Sequence, residues 1–336
     1  MSGVIPARSR PAPAPPLSEI QGPVRAELER TSDELRRIVL AHFPIIEQVS
    51  EHLLLMKGKL FRPTLCLLSS AVEGEPSIRA ATLGAIVELV HVATLVHDDS
   101  VDHSALRRGM PTVNSLFSHQ VSVIMGDFLY SRAIVELVRD GDLEVLRVLA
   151  DATNAMTVGE MRQLTAVDTL QFSEGDYEAL IRAKTASLIA ASCEIGAIAG
   201  SPAHRAALAR YGDRLGMAFQ VVDDLLDYTA DVAVTGKPTG LDLREHKVTL
   251  PLIAALRTMS PAARGDVERL FATPEPDDEQ IGTVVDIVTE LGGLEYARRR
   301  GDQYAAEAEE ALDAVPESAA TAALRDAVAY VMERTQ

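Results

Sequence analysis

Positive charge is in short supply in this chain. Lysine and arginine total 32 against 49 aspartates and glutamates, and the formal net charge of -17 argues against nucleic acid or an anionic membrane as a bulk electrostatic partner. Cysteine is scarcer still: Cys66 and Cys193 lie inside apolar helical runs and read as small core residues of a reducing compartment, not as a disulfide framework. Aromatics make up only 4%, and no stretch alternates over several residues as a half-buried strand would; Val121 to Ile124 comes nearest and is short. The N-terminal MSGVIPARSRPAPAPP has arginines but no apolar stretch behind them, so it is not expected to be a signal peptide. The most apolar segment, Ala179 to Gly200, is broken by Arg182, Lys184 and Glu194, short of the ~20 apolar residues a membrane crossing needs. A soluble, cytoplasmic protein is the expectation.

What is present is apolar mass with helical spacing. Hydrophobic residues make up 47% of the 336, enough for a sizeable core. After a Pro/Ala/Arg leader over 1–22, expected to be disordered, a single all-α domain is expected over 23–336. Helical periodicity runs from Pro23 to about Leu40, Pro44 to Met56, Pro76 to the aspartates near 100, Val113 to Val138, and Leu143 to about Thr165. It continues over 175–199, Pro202 to Tyr228, and four amphipathic segments between 247 and 313, with a last helix over 317–334. Two interruptions stand out, GKLFRP at 58–63 and a Gly/Pro loop from Thr229 to His246.

The chemistry is concentrated in one repeated pattern. Residues 95–112 read LVHDDSVDHSALRRGMPT, so Asp98, Asp99 and Asp102 close an apolar helix and Arg107 and Arg108 follow at once. Residues 220–227 read QVVDDLLD and place Asp223, Asp224 and Asp227 at the same spacing. Positions four apart share a helix face, so Asp98 and Asp102 are expected to aim at one point with Asp99 beside them. Carboxylates packed this closely repel unless a cation lies between them. Oxygen-only ligands suit a hard divalent ion such as Mg2+, which keeps waters and bridges to phosphates, and arginine forks suit phosphate oxygens. A solvated helix end would explain one such cluster; it explains two poorly.

Five motifs in order, GKLFRP, HDDSVDHSALRRG, AKT, FQVVDDLLD and GKPTGLDLREHKVTLP, resemble the trans-isoprenyl diphosphate synthases, the polyprenyl synthetase family, over about residues 24–336. The resemblance implies an isoprenoid-synthase-type helical bundle around a deep central cavity, a homodimer, and condensation of an allylic diphosphate with isopentenyl diphosphate. It implies Mg2+, three ions bridging to the allylic diphosphate, with Asp98 and Asp102 as ligands on one wall and Asp223 on the other. Asp224 and Asp227 would support Asp223, and Asp99 would belong to the catalytic cluster. Arg107, Lys184, Lys237 and Lys247 would contact the allylic diphosphate, with Thr185 and Gln220 near the ionising carbon. Lys59, Arg62, His91 and Arg108 would grip isopentenyl diphosphate. Asp127 matches the family as well, with a buried structural role as its alternative. Leu60, Phe61, Leu241 and His246 depart from the usual pattern without removing a proposed ligand.

Chain length is expected to be set just before the first motif. Ala93 and Thr94, five and four residues before Asp98, are small where short-chain members carry rings. An open tunnel toward Val90, Val87, Ile124 and Phe128 is expected, and with it a product in the octaprenyl-to-solanesyl range; a deeper plug would stop at geranylgeranyl or farnesyl length. Two other readings stand beside this one. A terpene cyclase would not need the GKLFRP site, and a non-catalytic subunit would be expected to lose aspartates or arginines.

Overall fold

The computed structural model describes residues 14–56, 58–164, 169–229 and 240–334. Lys237 and most of the Gly/Pro loop that contains it lie outside the described residues. The architecture is all-α, as the periodicity requires. The N-terminal part comprises α1 (Leu17–Ile20), α2 (Arg25–Val39), α3 (Pro44–Leu55), α4 (Phe61–Ser70) and α5 (Ile78–Val101). Next come α6 (Val113–Leu116), α7 (His119–Asp140), α8 (Leu143–Leu164), α9 (Glu174–Ile181) and α10 (Ser187–Gly200). The second aspartate motif ends α11 (Arg205–Thr229), and the short α12 (Leu241–Arg244) follows. The chain closes with α13 (Leu250–Leu256), α14 (Pro261–Ala272), α15 (Asp278–Glu290), α16 (Gly293–Leu312) and α17 (Ala319–Glu333).

Local chemistry sets many of these boundaries. Ser118, Ser260 and Ser318 accept backbone N–H groups at the starts of α7, α14 and α17, while Ser173 with Asp176 and Asp277 with Gln280 form capping boxes. Gly141 ends α7 in the left-handed conformation that asparaginyl or glycyl residues adopt most easily. Helix α5 is buried over most of its surface, which fits its largely apolar sequence. Its length and composition would suffice for a membrane span, a property expected instead to be weak everywhere; here its side chains form protein core.

The core has two lobes. One gathers α5, α7 and α8 around Leu83, Ile86, Leu129 and Leu149; the other gathers α11, α13, α16 and α17 around Leu215, Val221, Leu252 and Leu324. Helices α4 and α10 pack between them, with Cys66 and Cys193 buried as free thiols. Burial pushes the Cys193 thiol up to about 12 and the Cys66 thiol higher still, so both are inert core groups.

Two details depart from expectation. Packing begins before residue 23: α1 buries Ile20, and Gln21 Nε2 donates to Lys59 O at 3.0 Å and to Thr64 Oγ1 at 3.1 Å. Two apolar residues, Leu17 and Ile20, supply a face that the Pro-rich sequence upstream obscured. Val121 to Ile124, the nearest approach to alternation, lies inside α7, in keeping with the helical periodicity from Val113 to Val138. The strand pairing found among the described residues is instead a two-residue hairpin, β1 (Leu106–Arg107) against β2 (Met110–Pro111), too short for any periodicity to register.

Candidate active site

Helix α5 builds the first wall. Glu88, His91, Leu95, Asp98 and Asp102 are spaced at three and four residues and therefore share one face, rising toward the C-terminal end at 1.5 Å per residue. Asp98 lines a cavity of about 680 Å³ together with Arg62, His91, Thr94, Lys184 and Thr185. Asp102 follows at the exposed helix end. Asp99 does not join them. One residue further round the helix, it is 4% exposed and accepts the Arg107 Nε–H on both oxygens, at 2.8 and 2.9 Å, with Arg107 Nη2 in ion-pair contact at 2.8 Å. Asp99 is thus an anchor for the arginine hairpin, and Arg107, assigned to the allylic diphosphate from resemblance, spends its Nε–H on that anchor.

The second aspartate cluster lies on α11, which meets the cavity wall through Thr185. Asp223 is half exposed and receives Arg334 Nη2 at 2.8 Å. Asp224 is buried and accepts from Tyr177 Oη at 2.6 Å and Gln220 Nε2 at 2.8 Å. Thr185 Oγ1 donates to Gln220 Oε1 at 2.7 Å, so one hydrogen-bonded chain runs from the cavity wall to the second aspartate cluster. Asp227 accepts the backbone N–H groups of Leu241 and Asp242, each at 3.0 Å, and so fixes the point where the chain returns from its loop. Lys184 sits in a π-helical turn, Arg182–Ala186, with its Nζ 2.7 Å from Glu160 and 3.2 Å from Gln163 Oε1. Lys247 pairs with Glu245 at 2.5 Å and lies within electrostatic reach of Asp242 and Asp102.

Around the GKLFRP segment a cationic corner forms. Lys59 is exposed and lies 6.0 Å from the Tyr330 ring. Phe61 stacks on Phe219 at 6.0 Å and tilts against Tyr330 at 6.1 Å, which gives this departure from the family pattern a packing role between α11 and α17. Arg62 is partly buried, and its Nε finds no acceptor among the described residues. Burial, with Arg62 and Arg108 nearby, holds the His91 imidazole well below its ordinary pKa, so it is neutral at pH 7.

Backbone strain marks the same places. Among the described residues the non-glycine positions with positive φ are Leu60, His103, Arg108 and His246. Each falls inside or beside one of the site motifs, and such conformations cost on the order of 1–3 kcal/mol apiece. Arg108 and Gly109, at φ 52° and 75°, form the tight turn of the arginine hairpin. Gly126, in the GDFL segment, exists as glycine because the His97 ring crosses it: a Cβ there would lie 2.2 Å from His97 Nε2. Asp127 beside it is exposed, not buried, with Oδ1 3.4 Å from His97 at the cavity edge.

The product end of the cavity differs from expectation in its lining. Ala93 and Thr94 line it as expected, with Val90 below them. Val87 is instead sealed in the core, and Ile124 is 65% exposed on the outer face of α7. The facing wall comes from Tyr130 of α7 and from Ala150, Thr153, Met156 and Thr157 of α8, with Tyr130 Oη 3.3 Å from Thr153 Oγ1. Facing residues on a second helix carry no mark in sequence, so the partner of Ala93 could not be read there.

Several groups at this site were not singled out from sequence. Glu160 and Asp242 face the proposed ligands, Arg334 pairs with Asp223, and Glu88 lies beneath the cationic corner. Asp242 was legible in principle, since it stands within the GKPTGLDLREHK motif. The crowded carboxylates raise one another's pKa. Burial, Glu160 and Asp102 push the Asp98 carboxyl up to about 6, and burial with Asp227 pushes Asp242 up to about 7. Burial and Asp242 also raise Asp224. Among the described residues no three His, Cys, Asp or Glu side chains already surround one point as a closed metal cage would. Converging carboxylates without a closed cage fit a hard divalent cation that shares its coordination with water and a diphosphate.

An all-helical bundle in which one aspartate motif opens on a largely apolar cavity beside Arg62 and Lys184, and a second is joined to the cavity wall through Thr185 and Gln220, defines a site for ionising and joining diphosphate esters. The chain belongs to the polyprenyl synthetase family, whose model matches residues 43–288. It is 37% identical over 95% of its length, and 98% of the relative's, to a geranyl-diphosphate-specific all-trans-nonaprenyl-diphosphate synthase of Rhodobacter capsulatus. It is 36% identical, over 95% and 99% of the two chains, to a short chain isoprenyl diphosphate synthase of Methanothermobacter thermautotrophicus. The solved structure of a Caulobacter crescentus polyprenyl synthase, complexed with calcium and isoprenyl diphosphate, superposes with a TM-score of 0.90 at 32% identity, covering 97% of this chain and all of that one.

Proposed function

We propose that this chain is a Mg2+-dependent, chain-elongating prenyltransferase that joins an allylic diphosphate to isopentenyl diphosphate and releases a polyprenyl diphosphate of octaprenyl-to-solanesyl length. The observation that carries the reading is the cavity of about 680 Å³ with Asp98 and Lys184 at one end and the small Ala93 and Thr94 below them. Relatives of similar identity include both a nonaprenyl and a short-chain synthase, so the length assignment rests on the cavity and not on kinship.

Asp98 and Asp102 from α5 and Asp223 from α11 would hold the Mg2+ ions, which when bound neutralise the charge that grows on the departing diphosphate. Lys184 and Lys247, fixed by Glu160 and Glu245, add positive charge where that diphosphate leaves. Lys237 is assigned the same role on family resemblance alone. Thr185 on the cavity wall would lie near the ionising carbon, with Gln220 behind it, held between Thr185 and Asp224. Lys59, Arg62, His91 and Arg108 hold the isopentenyl diphosphate about two helical turns from Asp98, which presents its alkene to the cation. The released diphosphate lies close enough to take the proton, so no side chain need act as the final base. The apolar side chains of the lower cavity, Val90, Ala93 and Met156, would limit the water that could otherwise quench the cation.

The outer faces of α7 and α8 favour a homodimer. Val123, Ile124 and Val138 of α7 and Val158 and Leu164 of α8 are exposed, and apolar side chains of this kind would be covered by a second copy of the chain. A cytoplasmic location accords with α5 serving as protein core.

Purified protein with Mg2+, farnesyl diphosphate and labelled isopentenyl diphosphate tests the assignment. A product ladder ending at eight or nine isoprene units is expected under this reading. A stop at geranylgeranyl would move the cavity floor upward, and no incorporation by folded protein would overturn the reading. Light scattering on the same sample should give the mass of two chains.

A further inference from the structure

Glu88 has no part in the assignments above, yet it is 6% exposed and lies on the α5 face that carries His91 and Asp98. A carboxylate buried this deeply persists only opposite positive charge. Burial raises the Glu88 carboxyl's pKa, and the positive charges of Arg62 and Arg108 work against that rise. The convergence is visible at Gly58: a Cβ there would lie 3.1 Å from Arg108 Nη1 and 3.2 Å from Glu88 Oε1, so the absence of a side chain lets the guanidinium and the carboxylate approach the same point. Arg108 reaches this place from a left-handed backbone at φ 52° and donates to Met56 O at 3.1 Å. The Arg62 Nε–H is buried and finds no acceptor among the described residues.

We propose that Glu88 is a positioning residue for the second diphosphate site: its carboxylate holds the Arg62 and Arg108 guanidiniums together at the spacing that receives isopentenyl diphosphate. The inference rests on the reading of that corner given above. Two guanidiniums in one partly buried corner repel each other and would swing apart without a fixed anion. A carboxylate beneath them removes that tendency before the ligand arrives, which lowers the ordering cost of binding. The same carboxylate repels an incoming diphosphate. The two effects have opposite signs, and the proposal states that positioning wins.

Calorimetric binding of isopentenyl diphosphate to the full-length protein in Mg2+ buffer, alongside steady-state kinetics, decides the matter. Wild-type protein is expected to bind. Glu88→Gln should raise both the Kd and the KM for isopentenyl diphosphate about tenfold, with kcat and the KM for the allylic substrate within about twofold. Glu88→Asp should recover part of the loss. In an Arg108→Gln background the Glu88→Gln penalty should shrink, because the carboxylate then has one guanidinium fewer to place. An unchanged or tighter Kd for folded Glu88→Gln overturns the proposal, as does strict additivity with Arg108→Gln. If Glu88→Gln does not fold, Glu88→Asp with wild-type affinity overturns it equally. Wild-type protein that fails to bind isopentenyl diphosphate overturns the site reading itself, and this inference with it.

Discussion

Arg334, at the end of the C-terminal helix, donates Nη2 to Asp223 Oδ1 at 2.8 Å and stacks its guanidinium 3.7 Å from the Phe219 ring centroid. Asp223 is one of the carboxylates assigned to the metal, so an arginine occupies its charge in the metal-free protein. A cation that binds Asp223 must displace Arg334 or share the carboxylate with it. Arg334→Gln is therefore expected to lower the Mg2+ concentration for half-maximal rate by about 3- to 10-fold, each tenfold corresponding to ~1.4 kcal/mol. The same change removes a stacked, largely buried side chain, so the melting temperature should fall by a few degrees, on the order of 1–2 kcal/mol. Magnesium titrations of turnover and thermal melts of the metal-free protein measure the two effects separately. An unchanged Mg2+ requirement would mean that the pair opens without cost.

Asp98 and Asp99 are neighbours in sequence with opposite duties. Asp98 faces the cavity, where burial and nearby carboxylates make its charge unfavourable in the absence of a cation. Asp98→Ala should lower kcat by about 10²–10⁴-fold, the usual range for losing an electrostatic group at the reacting centre. Its metal-free melting temperature should hold or rise. Asp99→Ala leaves Arg107 without its carboxylate and should cost roughly 2–4 kcal/mol of stability, less than a fully buried pair because Arg107 is partly exposed. Turnover and melts on both variants test the contrast; equal loss of stability would undo the division of labour.

Much of this molecule was legible in its sequence, for identifiable reasons. Helix boundaries followed from apolar spacing, from prolines such as Pro44, and from breakers such as Gly141, all of which act over a few residues. The aspartates and cations were found because their motifs carry charge in an apolar chain. What escaped was contact between distant segments. Gln21 holding the GKLFRP backbone, Arg334 reaching Asp223, and Tyr130 with Thr153 across from Ala93 join residues far apart in the chain. No local pattern encodes such pairs. Asp99 shows a subtler limit: helix spacing placed it beside Asp98, and only the hairpin after α5, which brings Arg107 back, turns it into an anchor.

Stability of the metal-free protein should fall as pH rises toward neutrality. Asp98 and Asp242 have folded pKa values raised to about 6 and about 7, from 3.8, so between pH 4 and 7 the folded protein binds more protons than the unfolded chain. Their ionisation through that window works against folding, the reverse of an ordinary salt-bridged carboxylate. Melting temperatures without metal should therefore be higher near pH 5 than near pH 8 as far as these two groups govern, by a few degrees. Added Mg2+ should raise the pH 8 value most, since an ion that binds only the folded state at 100 times its Kd adds about 2.7 kcal/mol. Scanning calorimetry at both pH values with and without Mg2+ reads all four conditions. A larger Mg2+ effect at pH 5 than at pH 8 would contradict the assignment of these carboxylates.

Product length is the property most directly written in the cavity. Ala93 is 2% exposed and Thr94 hydrogen-bonds its own helix at His91 O, so neither projects far into the space beneath Asp98. Replacing Ala93 with tyrosine adds a ring where the growing chain must pass between α5 and the Ala150–Met156 face of α8. Ala93→Tyr is expected to shorten the main product by several isoprene units while leaving the first condensation within about threefold of wild type, because the diphosphate sites lie above the ring. Tyr130→Ala removes the opposite ring and its contact with Thr153, and the product distribution should shift toward longer chains. Chromatography of dephosphorylated products sizes both. If Ala93→Tyr leaves the product length unchanged, the chain does not travel along this face of α5, and the side of the cavity lined by Tyr130 and Thr153 becomes the route to test.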